Sequence, residues 1–446
     1  MTKYSVRHIA EIVNGKDLNL HRDDQIEHLI IDSRKIIFPK TSLFFALSGS
    51  TRDGHAFIPE VYKKGVRNFI ISKKIATVDF PEGNFIEVGD SLAALQDLAS
   101  FHRRQFKIPV IGITGSNGKT IVKEWLNQLL EADFTVVRSP KSYNSQIGVP
   151  LSVWQMNEHH QLGIFEAGIS LPGEMERLER IIQPTIGVFT NIGEAHSEGF
   201  KNNDEKLEEK FKLFESVEVL VCQELFAISA VKLRPWKIIR IEKLDTVSNV
   251  EAEISSIKIS LRIPFTDEAS LENAVTCYAV LSHLNIPHDT IQERILKLKH
   301  VSMRLELKKG INHCSIINDS YSADISSLKI ALDFLAEQRQ HPTSCVIISD
   351  FVQSGMDEDA LYSHISGALE QHGVDRIIGI GKNISAHREK FRAISRQNFY
   401  LTTQEFISDF REAAFSNEAV LVKGARIFAF EKIDRLLAEK LHHTVL

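Results

Sequence analysis

Gly112-Ile113-Thr114-Gly115-Ser116-Asn117-Gly118-Lys119-Thr120 follows an apolar run, Ile108 to Ile113, and opens a helical stretch that runs from Thr120 toward Leu130. A strand, a glycine turn and a helix N-terminus in that order form an anion site, because unpaired backbone N–H groups converge where the helix begins. Lys119 adds a point charge and Thr120 a hydroxyl suited to Mg²⁺, so a nucleoside triphosphate is the expected ligand. The general pattern Gly-x4-Gly-Lys-Ser/Thr would place its first glycine at 113, where this chain has Ile113. The loop is therefore a variant. Gly15-Lys16 and Gly381-Lys382 lack a following Ser or Thr and read as ordinary turns.

Moving a polyphosphate brings anions together, so oxygen ligands for Mg²⁺ should lie downstream. Glu166 ends the apolar run Leu162 to Phe165, ahead of Ala167-Gly168. A carboxylate there faces either solvent or a site at the carboxyl edge of a sheet. Thr190-Asn191-Ile192-Gly193-Glu194-Ala195-His196 follows the next strand candidate and again puts polar groups at its end. Fourteen residues beyond His196 stands Lys210, on an amphipathic helical run that also carries Lys206 and Lys212. On periodicity alone Lys210 belongs to a solvated face.

Strand and helix candidates alternate around the loop, which argues for a largely parallel α/β sheet. Strand runs are expected at Leu162 to Ala167, Ile186 to Asn191 and Val217 to Cys222. Before them lie a short helix, Ser5 to Val13, and strand runs at Leu29 to Ile31, Leu43 to Leu47 and Asn68 to Ser72. A helix capped by Asp90 or Ser91 leads into the loop region. After Arg304 a third α/β block is expected, with strands at Ser315 to Asn318, Ser344 to Ser349, Arg376 to Ile380 and Ala419 to Val422. Its helices are expected at Ala323 to Gln338 and Leu361 to His372. The domains read as 1–89, 90–302 and 303–446.

At about 150 residues per domain, 446 residues agree with three domains. With 43% hydrophobic and 25% charged residues and only 23 Gly and 12 Pro, neither disorder nor a fibre is expected. A net charge of −5 argues against a nucleic-acid or anionic-membrane binder, so polyanions must be held by local chemistry. The four cysteines form no Cys-x-x-Cys pair, and no run is apolar enough to span a membrane. A cytoplasmic enzyme or binding protein, with no membrane insertion, is the expectation.

Thr114-Gly115-Ser116-Asn117-Gly118-Lys119-Thr120 resembles the phosphate loop of the Mur ligase and folylpolyglutamate synthase superfamily, whose members activate a carboxylate with ATP and couple it to an amine. Thr190 to Phe200 is similar to the Thr-Asn-x-Gly-x-x-His-x-Glu-Gly-Phe stretch of Mur ligases. Ile31-Asp32-Ser33-Arg34 and Thr51 to Ile58 resemble their uridine-diphosphate substrate domain, which folylpolyglutamate synthases lack. Tyr143-Asn144-Ser145-Gln146-Ile147-Gly148-Val149-Pro150 resembles a segment of the branch that adds D-alanyl-D-alanine. Arg304-Leu305-Glu306, Asn318 to Asp324 and Lys423-Gly424-Ala425-Arg426 resemble further family segments, with departures at Asn318, Ser322 and Ala425. The His-Asn pair usual before Asn273 is replaced by Ala269 and Ser270. No Asp-Asn-Pro-Arg motif is present, which disfavours the diaminopimelate-adding branch.

The resemblance implies a three-domain Mur ligase architecture with a central P-loop-type ATPase domain and a Rossmann-like C-terminal domain. It implies ATP-dependent, ADP-forming addition of D-alanyl-D-alanine to UDP-N-acetylmuramoyl-tripeptide in peptidoglycan precursor synthesis, and through it a part in cell-wall biogenesis, cell shape and division. Residues Thr114 to Thr120, with Asn273, Arg304 and Asp319, would bind ATP. Thr120, Glu166, His196 and a carbamylated Lys210 would hold Mg²⁺; Lys206 and Lys212 are rivals for the carbamate. Lys119, Glu166, His196 and Lys210 are the expected catalytic set. Ser33, Arg34, Asn144, Ser145 and Gln146 would meet substrate, the last three alternatively forming a polar turn. Lys440 to Leu446 resembles the junction at which such a ligase runs on into an alanine racemase, although a frayed terminal helix explains the same residues. The alternatives are another Mur-type ligase, or a non-catalytic ATP-binding scaffold that regulates a partner enzyme.

Overall fold

The computed structural model describes residues 3–438 apart from 50–51, 194–198, 227–231, 322, 339 and 352–355. His196, Ser322 and the tail 440–446 therefore lie outside the described residues. Three sheets of five, eight and six strands follow one another along the chain, with a small two-stranded ladder near the start.

The N-terminal sheet runs in the order Lys16–Asn19, Asn84–Glu87, Asn68–Ile71, Ser42–Phe45, His28–Ile30, with only the first strand antiparallel. Asp90 decides where the next helix starts: its carboxylate accepts from the Leu92 and Ala93 amides at 2.7 and 3.4 Å, capping Ser91–Arg103. That helix joins two cores. Ala94, Leu95 and Leu98 pack with Val6, Ile9 and Phe45, whereas Ala99 packs with Val110 and Phe165.

The eight-stranded sheet has the order Ile257–Ile263, Ser248–Ile254, Leu233–Lys243, Val219–Gln223, Ile186–Phe189, Val110–Thr114, Leu162–Glu166, Val136–Arg138. Val110–Thr114, buried throughout, pairs in parallel with a strand on each side, as expected of an apolar run without alternation. Its register sets Glu166 opposite Ile113 and Phe189 opposite Thr114, so the next two strands also end beside the glycine loop. The sequence pattern stops the sheet at Val217 to Cys222. The structure continues it with Leu233–Lys243 in parallel and then an antiparallel meander through Ser248–Ile254 and Ile257–Ile263. Helices Lys119–Leu130 and Glu268–His283 cover one face, where Trp125 stacks on Phe265 at 4.8 Å.

The C-terminal sheet, Glu306–Lys309, Ser315–Asp319, Glu418–Lys423, Thr343–Ser349, Arg376–Ile380, Arg396–Tyr400, is parallel except at its first strand. The expected strands fall within one or two residues of the observed ones, while Glu306–Lys309 and Arg396–Tyr400 are additional. All four cysteines are buried and free. Among the described residues no helix is long and apolar enough to cross a membrane.

Candidate active site

The loop turns at two left-handed glycines, Gly115 at φ +146° and Gly118 at φ +82°, the latter immediately before the helix Lys119–Leu130. A Cβ on Gly115 would stand 2.0 Å from Thr190 Oγ1, and one on Gly118 2.6 Å from Asn273 Oδ1. Conformation and close approach both demand glycine there. Thr114 is buried beneath the loop, its hydroxyl donating to Ala167 O at 2.8 Å.

The exit of the strand Ile186–Phe189 organises the loop backbone. Ser116 N donates to Asn191 O at 2.8 Å and Asn117 N to Asn191 Oδ1 at 2.9 Å. Thr190 Oγ1 donates to Asn117 O at 2.5 Å, and Gly193 N to Ser116 Oγ at 2.8 Å. Asn191 thus fixes loop geometry.

Three lysines converge on the loop. Lys119 Nζ donates to Gly115 O at 2.7 Å and Ser116 O at 2.9 Å. Lys210, 3% exposed on the helix Asn203–Phe211, donates to the same Gly115 carbonyl at 3.1 Å. Lys206, buried one turn earlier, reaches Gly193 O. Burial lowers the Lys119 ammonium to about 8, with nearby Glu166 opposing the shift. Burial, with the Lys119 and Lys206 charges added, pushes Lys210 well below the usual lysine range. Lys212 pairs with Glu209 at 2.6 Å, away from the loop.

Glu166 is fully buried at the sheet edge. Its Oε2 accepts from Thr120 Oγ1 at 3.0 Å, and Thr120 Oγ1 also meets Ser142 Oγ at 2.8 Å. Lys123 Nζ, itself fully buried, lies 3.0 Å from Glu166 Oε1. The same ammonium donates to Ser139 O at 2.8 Å and to Lys141 O, tying the turn before Ser142 to the helix. A buried carboxylate beside two hydroxyls is a hard oxygen donor set that suits Mg²⁺ when phosphate oxygens complete it. Among the described residues no group of three or more His, Cys, Asp or Glu side chains gathers into a metal site.

A cavity of about 150 Å³ separates the middle and C-terminal sheets; Asn117, Gly118, Asn273, Arg304 and Asp319 line it. The three residues expected on the nucleotide thus meet at the loop. Arg304 stacks over the Tyr321 ring at 4.0 Å and reaches Ser142 Oγ at 3.4 Å. Asp319 pairs with buried Lys423 at 2.6 Å.

A larger cavity, about 700 Å³, opens between all three domains, with Asp32, Lys35, Ser142, Tyr143, Ser145 and Arg426 on its walls. Buried Ser33 and exposed Arg34, between Asp32 and Lys35 in the chain, are not on its walls. Arg34 forms a two-pronged pair with Asp32 at 2.9 and 2.8 Å, which holds that carboxyl well below its usual range. Asn144 O accepts from Gly168 N at 2.8 Å, behind Glu166. Ser145 Oγ accepts from Gly148 N at 3.2 Å. Gln146 is engaged by Gln96 at 3.0 Å and by Glu174 O at 3.0 Å, so it braces helices rather than lining the cavity. In the segment Thr51 to Ile58, His55 Nδ1 meets Asp53 at 2.7 Å while Nε2 accepts from Ser72 N at 3.0 Å.

Lys123, Ser142 and Tyr321 are the participants that sequence reasoning missed; Lys206, named there only as a rival for the carbamate, reaches the Gly193 carbonyl. Lys123 carried a signal: four residues after Lys119, it falls between Val122 and Leu126 on the inward stripe of the helix.

Residues 113–281 match the family described as Mur ligase middle domain, and residues 303–426 match the Mur ligase, glutamate ligase domain. UDP-N-acetylmuramoyl-tripeptide–D-alanyl-D-alanine ligase of Bacillus subtilis (strain 168) is 28% identical over 461 residues, covering 98% of this chain and 99% of that protein. The crystal structure I of MurF from Acinetobacter baumannii superposes with a TM-score of 0.83 at 22% identity, covering 98% of this chain and 99% of that one. MurF ligase from Thermotoga maritima in complex with ADP superposes at 0.74 and 20% identity, covering 92% and 96%. Two matched domains in the family's order, on the fold of its solved members, make this chain a member of the Mur ligase family.

Proposed function

We propose that this chain is an ATP-dependent ligase that joins D-alanyl-D-alanine to UDP-N-acetylmuramoyl-tripeptide in peptidoglycan precursor synthesis. The observation that carries the reading is the convergence of Lys119, Lys206, Lys210, Thr120 and Glu166 on one glycine loop, beside a cavity shared by three domains. The Bacillus subtilis relative, matched along almost its whole length, bears that activity in its name.

The terminal carboxylate of the tripeptide attacks the γ-phosphorus of ATP; a carboxyl O–P bond forms, the β,γ-bridging bond breaks and ADP leaves. The amine of D-alanyl-D-alanine then attacks the acyl carbon, an amide forms, and phosphate departs with the carboxyl oxygen. The protein positions the anions and stabilises charge on the transferring group, which is where most catalysis of phosphoryl transfer lies. Lys119 and the loop amides do this at the phosphates, while Asn273, Arg304 and Asp319 flank the nucleotide. Thr120 and Glu166 would hold Mg²⁺, with His196 and a carbamate on Lys210 completing a second site; the metal neutralises phosphate charge when bound. The Lys210 amine shares the Gly115 carbonyl with Lys119, and its depressed proton affinity favours the neutral amine that attack on CO₂ requires. Thr114 to Thr120 serve ATP, and Ser33, Arg34, Asn144 and Ser145 belong to the substrate side, with Gln146 bracing the helices behind them. The divisions 1–89, 90–302 and 303–446 correspond to uridine-nucleotide, ATP and closing domains. The reaction is cytoplasmic and feeds cell-wall growth, shape and division.

The test is a mass measurement of product. Purified chain with Mg-ATP, the UDP-tripeptide and D-alanyl-D-alanine should yield the UDP-pentapeptide and ADP in equal amounts. Equal turnover with a single amino acid in place of the dipeptide would overturn the assignment.

A further inference from the structure

Resting on that functional reading, we infer that Arg426 recognises the free carboxylate of the incoming dipeptide and sets the preference for an acceptor with an unblocked C-terminus. The cavity of about 700 Å³ has four principal charged residues on its walls, Glu27, Asp32, Lys35 and Arg426. Both acids are neutralised by partners: Glu27 by Lys3 at 2.7 Å and Asp32 by Arg34 at 2.8 Å. Of the cations, Lys35 lies on the N-terminal domain and leans on Tyr143 OH at 3.4 Å. Arg426 comes from the C-terminal domain, and among the described residues its guanidinium has no carboxylate partner. It lies beside Tyr321, whose ring centre is 5.8 Å from Arg426 Cζ and 4.0 Å from Arg304 Cζ.

This arrangement separates two tasks. Arg304 faces the nucleotide cavity and touches Ser142 Oγ, which is bonded to Thr120 in the loop cluster. Arg426, against the same tyrosine ring, faces the three-domain cavity. Ser142 and Arg426 line the same cavity, and a dipeptide, at most about 7 Å long, fits within it. An acceptor with its carboxylate on Arg426 can therefore direct its amine toward Ser142 and the phosphate loop. The base of Arg426 is fixed: Ala425 N donates to buried Ser349 Oγ at 2.9 Å, and a Cβ on Gly424 would lie 2.5 Å from the Phe430 ring. A planar guanidinium, exposed on a backbone held at residues 424 and 425, suits two-pronged carboxylate binding. The donor approaches from the N-terminal wall, where Lys35 is the cation.

The experiment compares wild type, Arg426→Gln and Arg426→Lys with D-alanyl-D-alanine and with its C-terminal amide, following ADP release and product mass. Losing one charged hydrogen-bonding partner should raise KM for the dipeptide about 10- to 100-fold. KM for ATP and for the UDP-tripeptide should stay at the wild-type value, with Arg426→Lys intermediate. Wild type should discriminate against the amide by a similar factor, and Arg426→Gln should treat acid and amide alike. Ligation by wild type together with unchanged acid preference in Arg426→Gln overturns the proposal alone. So does a rise confined to KM for the UDP-tripeptide, which would place the donor on Arg426. Failure of wild type to ligate D-alanyl-D-alanine overturns the functional reading and the proposal together.

Discussion

Replacing Lys123 by methionine probes the least accessible ion pair of the site. Lys123 and Glu166 are both fully buried, 3.0 Å apart, and Lys123 also satisfies the Ser139 and Lys141 carbonyls. Methionine keeps the length and shape of the side chain but strands a buried carboxylate. Removing one member of such a pair costs about 3–5 kcal/mol, whereas replacing both by neutral groups is often near neutral. Lys123→Met should therefore lower unfolding free energy by about 3–5 kcal/mol, and adding Glu166→Gln should recover the part owed to the stranded carboxylate, leaving the cost of the Ser139 and Lys141 carbonyls that lose their donor. Urea unfolding followed by tryptophan fluorescence is the assay, because all three tryptophans, Trp125, Trp154 and Trp236, lie in the middle of the chain. Trp125 is on the same helix as Lys123. Ligase activity should be lost in both variants, since Glu166 is either misplaced or absent. A cost below about 1 kcal/mol for the single variant, or a double variant as unstable as the summed singles, would refute the reasoning.

Lys119→Ala should slow substrate-dependent ADP release by about 100- to 1000-fold, the scale of losing one preorganised charge-stabilising group; steady-state kinetics checks it. Lys210→Ala should be inactive and partly rescued by a short carboxylic acid, which replaces the carbamate oxygens; an active wild-type enzyme whose nucleotide-bound density shows an unmodified, metal-remote Lys210 would contradict this. Buried His102 receives the Tyr4 hydroxyl on Nδ1 at 2.9 Å and donates from Nε2 to Met156 O at 3.0 Å. Burial lowers it from 6.5 to about 4, so the unfolded chain binds more protons between those values and stability falls as pH drops through that window. The total loss should be about 3 kcal/mol, read from urea midpoints at several pH values and flattened in His102→Gln.

The phosphate loop was legible because its chemistry is local: strand, glycine turn, Lys119 and Thr120 are contiguous. Topology left Glu166 two places, solvent or a site at the sheet edge, and the structure buries it at the edge beside Thr120. Lys123 was not, because its meaning arises only when the Ser139–Lys141 turn and Glu166 fold around it. Tyr321 escaped for the same reason; nothing in the sequence states that Arg304 and Arg426, more than a hundred residues apart, share one ring. Ser248–Ile254 alternates buried and exposed residues as a half-buried strand should, yet its burial depends on pairing with both neighbours in the meander. Gln146 was expected at the substrate from the resemblance of Tyr143 to Pro150, with a polar turn as the alternative, and the structure engages its amide with Gln96 and Glu174.

The central claim, that ATP cleavage is coupled to joining two peptides, is tested most directly by measuring ADP while the UDP-tripeptide and D-alanyl-D-alanine are withheld in turn. The account predicts sustained ADP release only with both present, at one ADP per new amide. Nucleotide binding with no substrate-dependent ADP release would contradict it and leave a regulatory scaffold in place of a ligase.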